Sequence, residues 1–360
     1  MKTLTVTFHH SNNYGALFQM FALHRTIKKM GHDNLVLETK LSHFKKKKVS
    51  YNPKVLLRNL YISICRNMRK SEVSALNRSF FNFKKNNVVF THPYTSMEEL
   101  KNHPPLVDCL ITGSDQVWNM TTVPSMIPSR FLDFGGSELI RFSFAASIEN
   151  MNYTDEQKEY VKNQLCKFKG ITLREKSACD FIESFTGLKT QRLLDPVFLL
   201  DKNDWLSISK NPRVDGPYIL CYQVLSNKMM QKVVDTLKKK TGYPTVAICN
   251  VPFKWIHTDY SFFDVSPEEF LGLYSKAACV VTTSFHGTAF GVLFNKPTYT
   301  IPRSISSNRI CDLMQLLGLE DYVVKPDNGL PDGSINWNRV NERIEIERNH
   351  SRTYLQNMLG

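Results

Sequence analysis

Residues 279–290, CVVTTSFHGTAF, join a short apolar run to a helical segment through a polar turn. Residues 279–283 predict a buried strand, because they are few, uncharged and rich in β-branched side chains. Gly287 and Thr288 then begin a helix, so that His286 lies where the unpaired N–H groups of the first turn converge. Strands that lead directly into helices are typical of parallel α/β sheets, which bind ligands at the carboxyl ends of their strands.

The same alternation of apolar runs and amphipathic segments continues on both sides of this stretch. It predicts an α/β fold built from two successive series of strands and helices. Strands are predicted near residues 4–8, 34–38, 107–112, 139–147, 170–174, 217–224, 244–250, 279–283 and 297–301. Helices are predicted near residues 14–30, 155–168, 175–185, 267–277, 288–294 and 308–319, and between the strand at 217–224 and about Lys240.

A change of composition divides the chain into two parts. Residues 202–216 are rich in Asp, Asn, Ser, Lys, Pro and Gly, which predicts a linker. Residues 1–201 and 217–336 are therefore expected to form two Rossmann-like domains that face a cleft. The last polar segment, residues 337–360, is predicted to be a helix that packs back on the first domain.

Composition excludes several classes of protein. The chain has 360 residues, of which 42% are hydrophobic and 22% charged, so disorder, collagen and coiled coil are ruled out. The sequence contains no apolar stretch long enough to span a bilayer, and its N-terminus turns polar too early for a signal peptide. We therefore expect a cytoplasmic protein.

The positive charge of the chain is concentrated near its N-terminus. Residues 1–90 contain 17 lysines and arginines against 3 acidic residues, whereas the remainder is nearly neutral. The basic residues peak at 45–48 and continue through an amphipathic pattern, which predicts a basic helical insertion over about 43–90. This insertion is either a solvated cationic helical hairpin or a contact with an anionic membrane surface. Nucleic acid is not expected as a partner, because the rest of the chain carries no basic stripe.

Polar loops follow other predicted strands as well. In HHSNNYG, residues 9–15, Gly15 permits a close approach of the backbone to a ligand, although Asn13 could equally cap the next helix. TGSDQVWN, residues 112–119, combines an aromatic face with amide groups, which is typical of a sugar-binding surface.

Two more junctions carry charged residues. Small residues in SFAASIEN, residues 143–150, leave room for a ligand in front of Glu149. In REKS, residues 174–177, Arg174 ends a buried strand and therefore requires an anion. The sequence leaves open whether this anion is a ligand or a protein carboxylate.

Taken together, these motifs resemble the polysaccharide pyruvyl transferase family. The similarity covers nearly the whole chain outside the basic insertion. It rests on NNYGALFQMFAL, ITGSDQVWN, FSFAASI, REKS, LLDPVF, LYSKAACVVTTSFHGTAFGVLFNKP and NRICDLMQLLGL, in this order. The resemblance implies a two-domain, GT-B-like fold. It also implies transfer of the carboxyethylidene group of phosphoenolpyruvate to two hydroxyls of a sugar, with release of phosphate and formation of a cyclic ketal.

The resemblance implies roles for the residues singled out above. The first domain would form the acceptor side and the second domain the donor side, with phosphoenolpyruvate as co-substrate and with no cofactor or metal. The predicted catalytic residues are His286, Asp115 and Glu149. The predicted phosphoenolpyruvate-binding residues are Asn13, Gly15, Arg174, Ser284, Gly287, Thr288, Arg303 and Arg309. The predicted acceptor-binding residues are Ser114, Gln116, Trp118 and Asn119.

The sequence departs from the family pattern at one position. Many members have an arginine two residues before the motif histidine, and this chain has Ser284 there. We expect Arg303 or Arg309 to supply the missing charge.

Partners and alternatives follow from the same resemblance. A galactose-type acceptor carried on a lipid diphosphate would explain the basic insertion, which would then lie at the inner face of the membrane. One alternative is a GT-B glycosyltransferase that binds a nucleotide sugar near Glu268 and Glu269. Another is a module that binds a sugar or nucleotide without catalysis.

Overall fold

Two parallel β-sheets form the framework of the molecule. A computed structural model describes residues 1–40, 53–224, 226–249, 256–302, 308–325, 329–331 and 334–360. The N-terminal sheet has the order β2-β1-β3-β4, and the C-terminal sheet has the order β11-β10-β7-β8-β9. Each pair of neighbouring strands in both sheets is parallel. The predicted α/β class is therefore confirmed.

The strands are short and mostly buried. In the N-terminal sheet they are β1 (Lys2–Val6), β2 (Asp33–Val36), β3 (Cys109–Thr112) and β4 (Ile140–Ser143). A parallel pair, β5 (Thr172–Leu173) and β6 (Gln191–Arg192), continues this sheet through isolated bridges beyond β4. In the C-terminal sheet they are β7 (Ile219–Gln223), β8 (Thr245–Cys249), β9 (Tyr260–Phe262), β10 (Cys279–Thr282) and β11 (Thr298–Thr300).

Helices connect the strands and cover the sheets. They are α1 (Tyr14–Lys29), α2 (Pro53–Met68), α3 (Lys70–Asn87), α4 (Met97–Asn102), α5 (Ile127–Arg130), α6 (Asp155–Leu165), α7 (Lys176–Thr186), α8 (Lys202–Leu206), α9 (Lys228–Thr241), α10 (Pro267–Lys276), α11 (Phe285–Leu293), α12 (Asn308–Leu317) and α13 (Trp337–Leu359). Short 3₁₀ turns occupy Pro124–Met126, Pro196–Leu199 and Glu320–Tyr322.

Aromatic side chains join the two sheets through helix α1. Tyr14 donates a hydrogen bond from its hydroxyl to the Val265 carbonyl at 2.7 Å, and its ring stacks on Phe270 at 4.4 Å. Phe18, one turn later, packs edge-on against Phe290 of α11. The amino ends of α1 and α11 therefore meet between the sheets, and this meeting positions the loops that precede both helices.

The start of the predicted linker and the C-terminal helix both pack against the rest of the molecule. Residues 202–206, at the start of the predicted linker, form α8, whose fully buried Trp205 packs against Phe18 and Phe290. In α13, Tyr354 donates a hydrogen bond to the Ser143 carbonyl at 3.1 Å, and Arg348 donates to the Phe198 carbonyl at 2.6 Å.

The basic insertion contains two successive helices, α2 and α3. The lysine run at residues 45–48 lies outside the described residues. Helix α3 is anchored by the buried rings of Phe80 and Phe83. Helix α2 instead leaves a row of large apolar side chains exposed: Leu57, Leu60, Tyr61, Ile64 and Met68. Among the described residues, no helix is both long enough and apolar enough to cross a bilayer.

Candidate active site

A cavity of about 170 Å³ lies between the carboxyl ends of the two sheets. Each lining residue follows the end of a strand or begins the helix after it. The N-terminal side contributes Asn13, Asp115, Gln116 and Glu149, and the C-terminal side contributes Val224, Thr283, Ser284, Phe285, His286, Arg309 and Ile310. A larger depression of about 610 Å³ near Arg141 contains none of the residues that the sequence analysis singled out.

His286 occupies the start of helix α11 and faces the other sheet. Its side chain is 11% exposed, and its Nε2 lies 3.3 Å from Oδ2 of the fully buried Asp195. This contact is not a hydrogen bond, and Nε2 has no hydrogen-bond partner among the described residues. It becomes an ion pair when the imidazole is protonated.

Gly15 makes room for this imidazole. A Cβ atom at Gly15 would lie only 2.0 Å from His286 Nδ1, so no other residue fits without moving the ring. The sequence analysis placed Gly15 in a cradle for phosphoenolpyruvate. In the structure His286 fills the space in front of Gly15, and contact of Gly15 with phosphoenolpyruvate stays a prediction.

Asp195 is the centre of a buried polar network. Its Oδ2 accepts hydrogen bonds from Ser114 Oγ at 3.0 Å and from Arg174 Nη1 at 2.6 Å, and its Oδ1 accepts from the Val197 N–H at 3.1 Å. Burial alone would raise the pKa of Asp195, but His286, Arg174 and the Val197 N–H outweigh burial and hold this pKa well below its usual value. Asp195 is therefore a carboxylate at neutral pH.

Arg174 is fully engaged by protein groups. Besides Asp195, it donates to Glu175 Oε1 at 3.1 Å and to Ser147 Oγ at 2.9 Å, and its guanidinium lies 4.3 Å from the centre of the Phe285 ring. Burial would lower the pKa of Arg174, but the neighbouring carboxylates raise it above its usual value. In the structure the anions that Arg174 contacts are protein carboxylates, and its binding to phosphoenolpyruvate stays a prediction.

Three residues of the predicted acceptor surface are buried away from the cavity. Ser114 donates its hydroxyl hydrogen bond to Asp195. Trp118 is fully buried, donates from Nε1 to the Arg130 carbonyl at 3.2 Å and stacks on Phe131. Asn119 accepts from the Thr121 N–H at 3.1 Å. Burial of the large apolar indole draws this segment into the core, and a role of these three residues in acceptor binding stays a prediction.

Two predicted anion contacts at helix α11 are also used internally. The Gly287 N–H donates to Ser284 Oγ at 3.2 Å, so the helix cap already occupies it. Thr288 is fully buried, and its hydroxyl donates to the Ser284 carbonyl at 3.0 Å. Direct binding by Gly287 and Thr288 therefore stays a prediction, whereas Ser284 itself lines the cavity.

The other predicted residues lie where a ligand can reach them. Asn13 caps helix α1 through its Oδ1, which accepts from the Ala16 N–H at 3.2 Å. Asp115 accepts from the Gln116 N–H at 2.9 Å. Glu149 and Arg309 form an ion pair of 3.5 Å between Oε1 and Nη2, which links the two sides of the cavity. Arg303 lies outside the described residues.

The sequence analysis did not assign a role to Asp195. The signal was present in RLLDPVFLL, residues 192–200, where one acidic residue interrupts an apolar run just before a proline. A carboxylate in such a run must be paired when it is buried.

Solved structures with a similar fold support the predicted architecture. UDP-GlcNAc 2-epimerase from Neisseria meningitidis bound to UDP-GlcNAc is 12% identical, with 100% of each chain covered and a TM-score of 0.52. UDP-GlcNAc 2-epimerase from Methanocaldococcus jannaschii is 10% identical, with 97% of this chain and 93% of that chain covered and a TM-score of 0.51. At this identity the likeness establishes the fold alone, and it confirms the GT-B-like arrangement.

Sequence comparison identifies the family. No curated protein matches the chain. The family model described as polysaccharide pyruvyl transferase matches residues 13–304, so the chain belongs to the polysaccharide pyruvyl transferase family.

Proposed function

We propose that this transferase moves the carboxyethylidene group of phosphoenolpyruvate to two hydroxyls of a sugar and releases phosphate. The observation that supports this proposal is the cavity between the sheets, where a histidine, two carboxylates and an arginine converge. Family membership supports pyruvyl transfer in polysaccharide biosynthesis. Use of phosphoenolpyruvate and formation of a ketal are the parts that we propose.

The reaction requires one proton to enter and two to leave. Protonation of the methylene carbon of phosphoenolpyruvate creates an oxocarbenium-like centre, which the first sugar hydroxyl attacks. The second hydroxyl replaces phosphate and closes the ring, and both hydroxyl protons pass to bases or to the leaving phosphate. General acid–base catalysis of this kind typically contributes about 10²–10⁴-fold to the rate.

His286 is suited to the proton transfer. Its Nε2 faces Asp195, its Nδ1 packs against Gly15, and the ring lines the cavity in which it would exchange a proton with the substrate. Protonated His286 would be paired with the Asp195 carboxylate, which resembles the way a buried aspartate supports the histidine of hydrolase triads. Asp115 and Glu149 line the same cavity and are the candidate bases for the sugar hydroxyls.

Arg309 supplies the positive charge that Ser284 lacks. Both residues line the cavity, and the Arg309 side chain is 23% exposed, so it is accessible to a phosphate or carboxylate. Binding of phosphoenolpyruvate would exchange the contact with Glu149 for a bidentate contact with the substrate.

Replacement of Arg309 by glutamine should therefore weaken phosphoenolpyruvate binding. We expect KM for phosphoenolpyruvate to rise by about tenfold or more, in keeping with the loss of a charged hydrogen bond of about 1.5–3 kcal/mol. KM for the sugar acceptor should change little. Arg339→Gln, at an exposed position of α13, is the matched control. An unchanged KM for phosphoenolpyruvate in Arg309→Gln would contradict the proposed role.

The nucleotide-sugar alternative predicted a clamp near Glu268 and Glu269. In the structure, Glu269 accepts two hydrogen bonds from Arg213 at 2.6 and 3.0 Å, and Glu268 lies 3.7 Å from Lys210 Nζ. Neither glutamate lines the cavity. The acidic clamp that this alternative requires is therefore engaged in surface ion pairs.

Incubation with phosphoenolpyruvate and galactoside acceptors tests the proposal. We expect phosphate release together with a glycan product that carries a carboxyethylidene group in its mass spectrum. Consumption of a nucleotide sugar without use of phosphoenolpyruvate would instead support a glycosyltransferase. Absence of turnover with either donor across a panel of acceptors would support a binding module.

The acceptor is proposed to be lipid-linked, with the protein at the cytoplasmic face of the membrane. Helix α2 carries exposed apolar side chains, and the exposed Arg66 and Lys70 lie at its carboxyl end and just beyond it. This combination fits an anionic bilayer surface, to which each nearby basic group adds about 1 kcal/mol of attraction.

Sedimentation with anionic liposomes should detect this contact. We expect binding at low salt that weakens as salt rises, and little binding to neutral liposomes. Leu60→Ser combined with Ile64→Ser should abolish it, whereas Leu106→Ser, at an exposed position outside the insertion, should not. Equal sedimentation of all variants would contradict a role for helix α2.

A further inference from the structure

Two histidines and a glutamate converge outside the cavity. His9 and His10 follow strand β1, and Glu38 follows strand β2, its parallel neighbour, so the three residues share one edge of the N-terminal sheet. One candidate ligand atom from each residue lies within 4.8 Å of the others. The two imidazole rings stack with their centres 4.0 Å apart.

The protonation of His9 can be read from its surroundings. Its Nε2 lies 3.0 Å from the Leu37 carbonyl, which can only accept, so Nε2 carries the hydrogen and Nδ1 carries the lone pair. Nδ1 is buried, has no hydrogen-bond partner among the described residues and lies 4.0 Å from Glu38 Oε2.

In this tautomer a buried lone pair therefore faces the Glu38 carboxyl group without a hydrogen bond. This arrangement is unfavourable by itself, and a bound cation would satisfy both groups. The hydrogen bond from Nε2 to a backbone carbonyl is the usual support of a metal-binding histidine, because it fixes the tautomer and the ring orientation. We infer that His9, His10 and Glu38 form a binding site for a divalent transition-metal ion such as zinc.

The distances fit such an ion after a small adjustment. His10 Nε2 lies 3.5 Å from Glu38 Oε1, close to the roughly 3.4 Å between ligand atoms in a tetrahedral zinc site with bonds of about 2.1 Å. The pair formed by His9 Nδ1 and Glu38 would have to close from 4.0 Å. His10 Nε2 now lies 3.0 Å from the Thr39 carbonyl, which can only accept, and 2.8 Å from Thr39 Oγ1. To bind the metal it would release the carbonyl, and its hydrogen would shift to Nδ1.

Two other groups bear on the site. The Thr39 N–H donates to Glu38 Oε1 at 3.0 Å and orients the carboxylate. Lys84 donates from Nζ to the His9 carbonyl at 3.4 Å, and its positive charge would compete with a cation. Three protein ligands leave a fourth position open to water. The ion would also hold the loop that ends at Asn13, which lines the cavity. Binding of the ion does not depend on the reaction proposed above.

Zinc titration of chelator-treated full-length protein tests the inference. We expect one zinc ion to bind per chain in competition with a chromophoric chelator. His10→Gln and Glu38→Gln should each weaken binding by at least about tenfold, whereas His103→Gln, at an exposed histidine outside the cluster, should not. Lys84→Gln should strengthen binding, because it removes the competing charge.

Cobalt loading provides a second readout, since the chain also has eight cysteines. Tetrahedral d–d absorption without a thiolate charge-transfer band is expected from nitrogen and oxygen ligands. Thiolate bands, an unloaded wild type, or equal affinity in the Glu38→Gln variant would each overturn the inference. Zinc should also raise Tm of the wild type but not of folded Glu38→Gln protein.

Discussion

Replacement of His286 by alanine should reduce kcat for pyruvyl transfer by at least about two orders of magnitude, the lower end of the usual contribution of acid–base catalysis. The physical reason is that the imidazole lies at the meeting point of helices α1 and α11, beside the Asp195 carboxylate and facing the cavity. Steady-state kinetics with saturating phosphoenolpyruvate and acceptor would measure the loss. The binding constant for phosphoenolpyruvate should change much less than kcat.

Chemical rescue separates proton transfer from a merely structural effect. Added imidazole should restore part of the activity of His286→Ala, because the deleted ring leaves a space bordered by Gly15. His103→Ala, at an exposed histidine remote from the cavity, should behave as the wild type with or without imidazole. A loss of less than about threefold in kcat would remove His286 from the acid–base role.

The fold could be predicted largely because its determinants are local. Short β-branched runs alternate with amphipathic segments, and this periodicity indicates parallel α/β units without knowledge of long-range contacts. Strand ends were less accurate: the strand predicted at 139–147 ends at Ser143. Ala145 then adopts a positive φ of 48°, which breaks the regular strand geometry.

The site could be predicted only in part. Loops after parallel strands necessarily meet at one edge, and this rule is sufficient to bring Asn13, Asp115, Glu149 and Arg309 together around His286. It cannot show which side chain of a loop points into the cavity. Trp118 stacks on Phe131, and Arg174 pairs with Asp195, and neither contact is visible in the local sequence pattern.

Asp195 could not be assigned a role from the sequence for a similar reason. Apart from Val197, the groups that contact Asp195 lie far from it in the sequence. Its role is therefore visible only in the folded chain, where Ser114, Arg174 and His286 surround it. Family motifs include this aspartate in LLDPVF, but the motif alone does not assign it a partner.

Replacement of Asp195 by asparagine should lower both stability and activity. The change keeps the shape of the side chain but leaves Arg174 with Glu175 as its remaining carboxylate partner in the network. Breaking a buried ion pair in this way typically costs about 3–5 kcal/mol in the free energy of unfolding. Protonated His286 also loses its counter-charge, so we expect kcat to fall by at least about tenfold in the protein that remains folded. Ser114→Ala, which removes a neutral hydrogen bond to the same carboxylate, should cost only about 1 kcal/mol.

The pH dependence of unfolding distinguishes the charge of Asp195 from its shape. Because the folded protein holds the pKa of Asp195 below its unfolded value of about 3.9, the unfolded chain takes up this proton first as pH falls. The stabilisation is therefore complete above pH of about 5 and is lost progressively as pH falls toward the folded-state pKa. Urea unfolding of the wild type should show this loss, and Asp195→Asn should show a shallower dependence over the same range. If the two proteins have parallel profiles, the buried carboxylate does not contribute through its charge, and its proposed support of His286 fails with it.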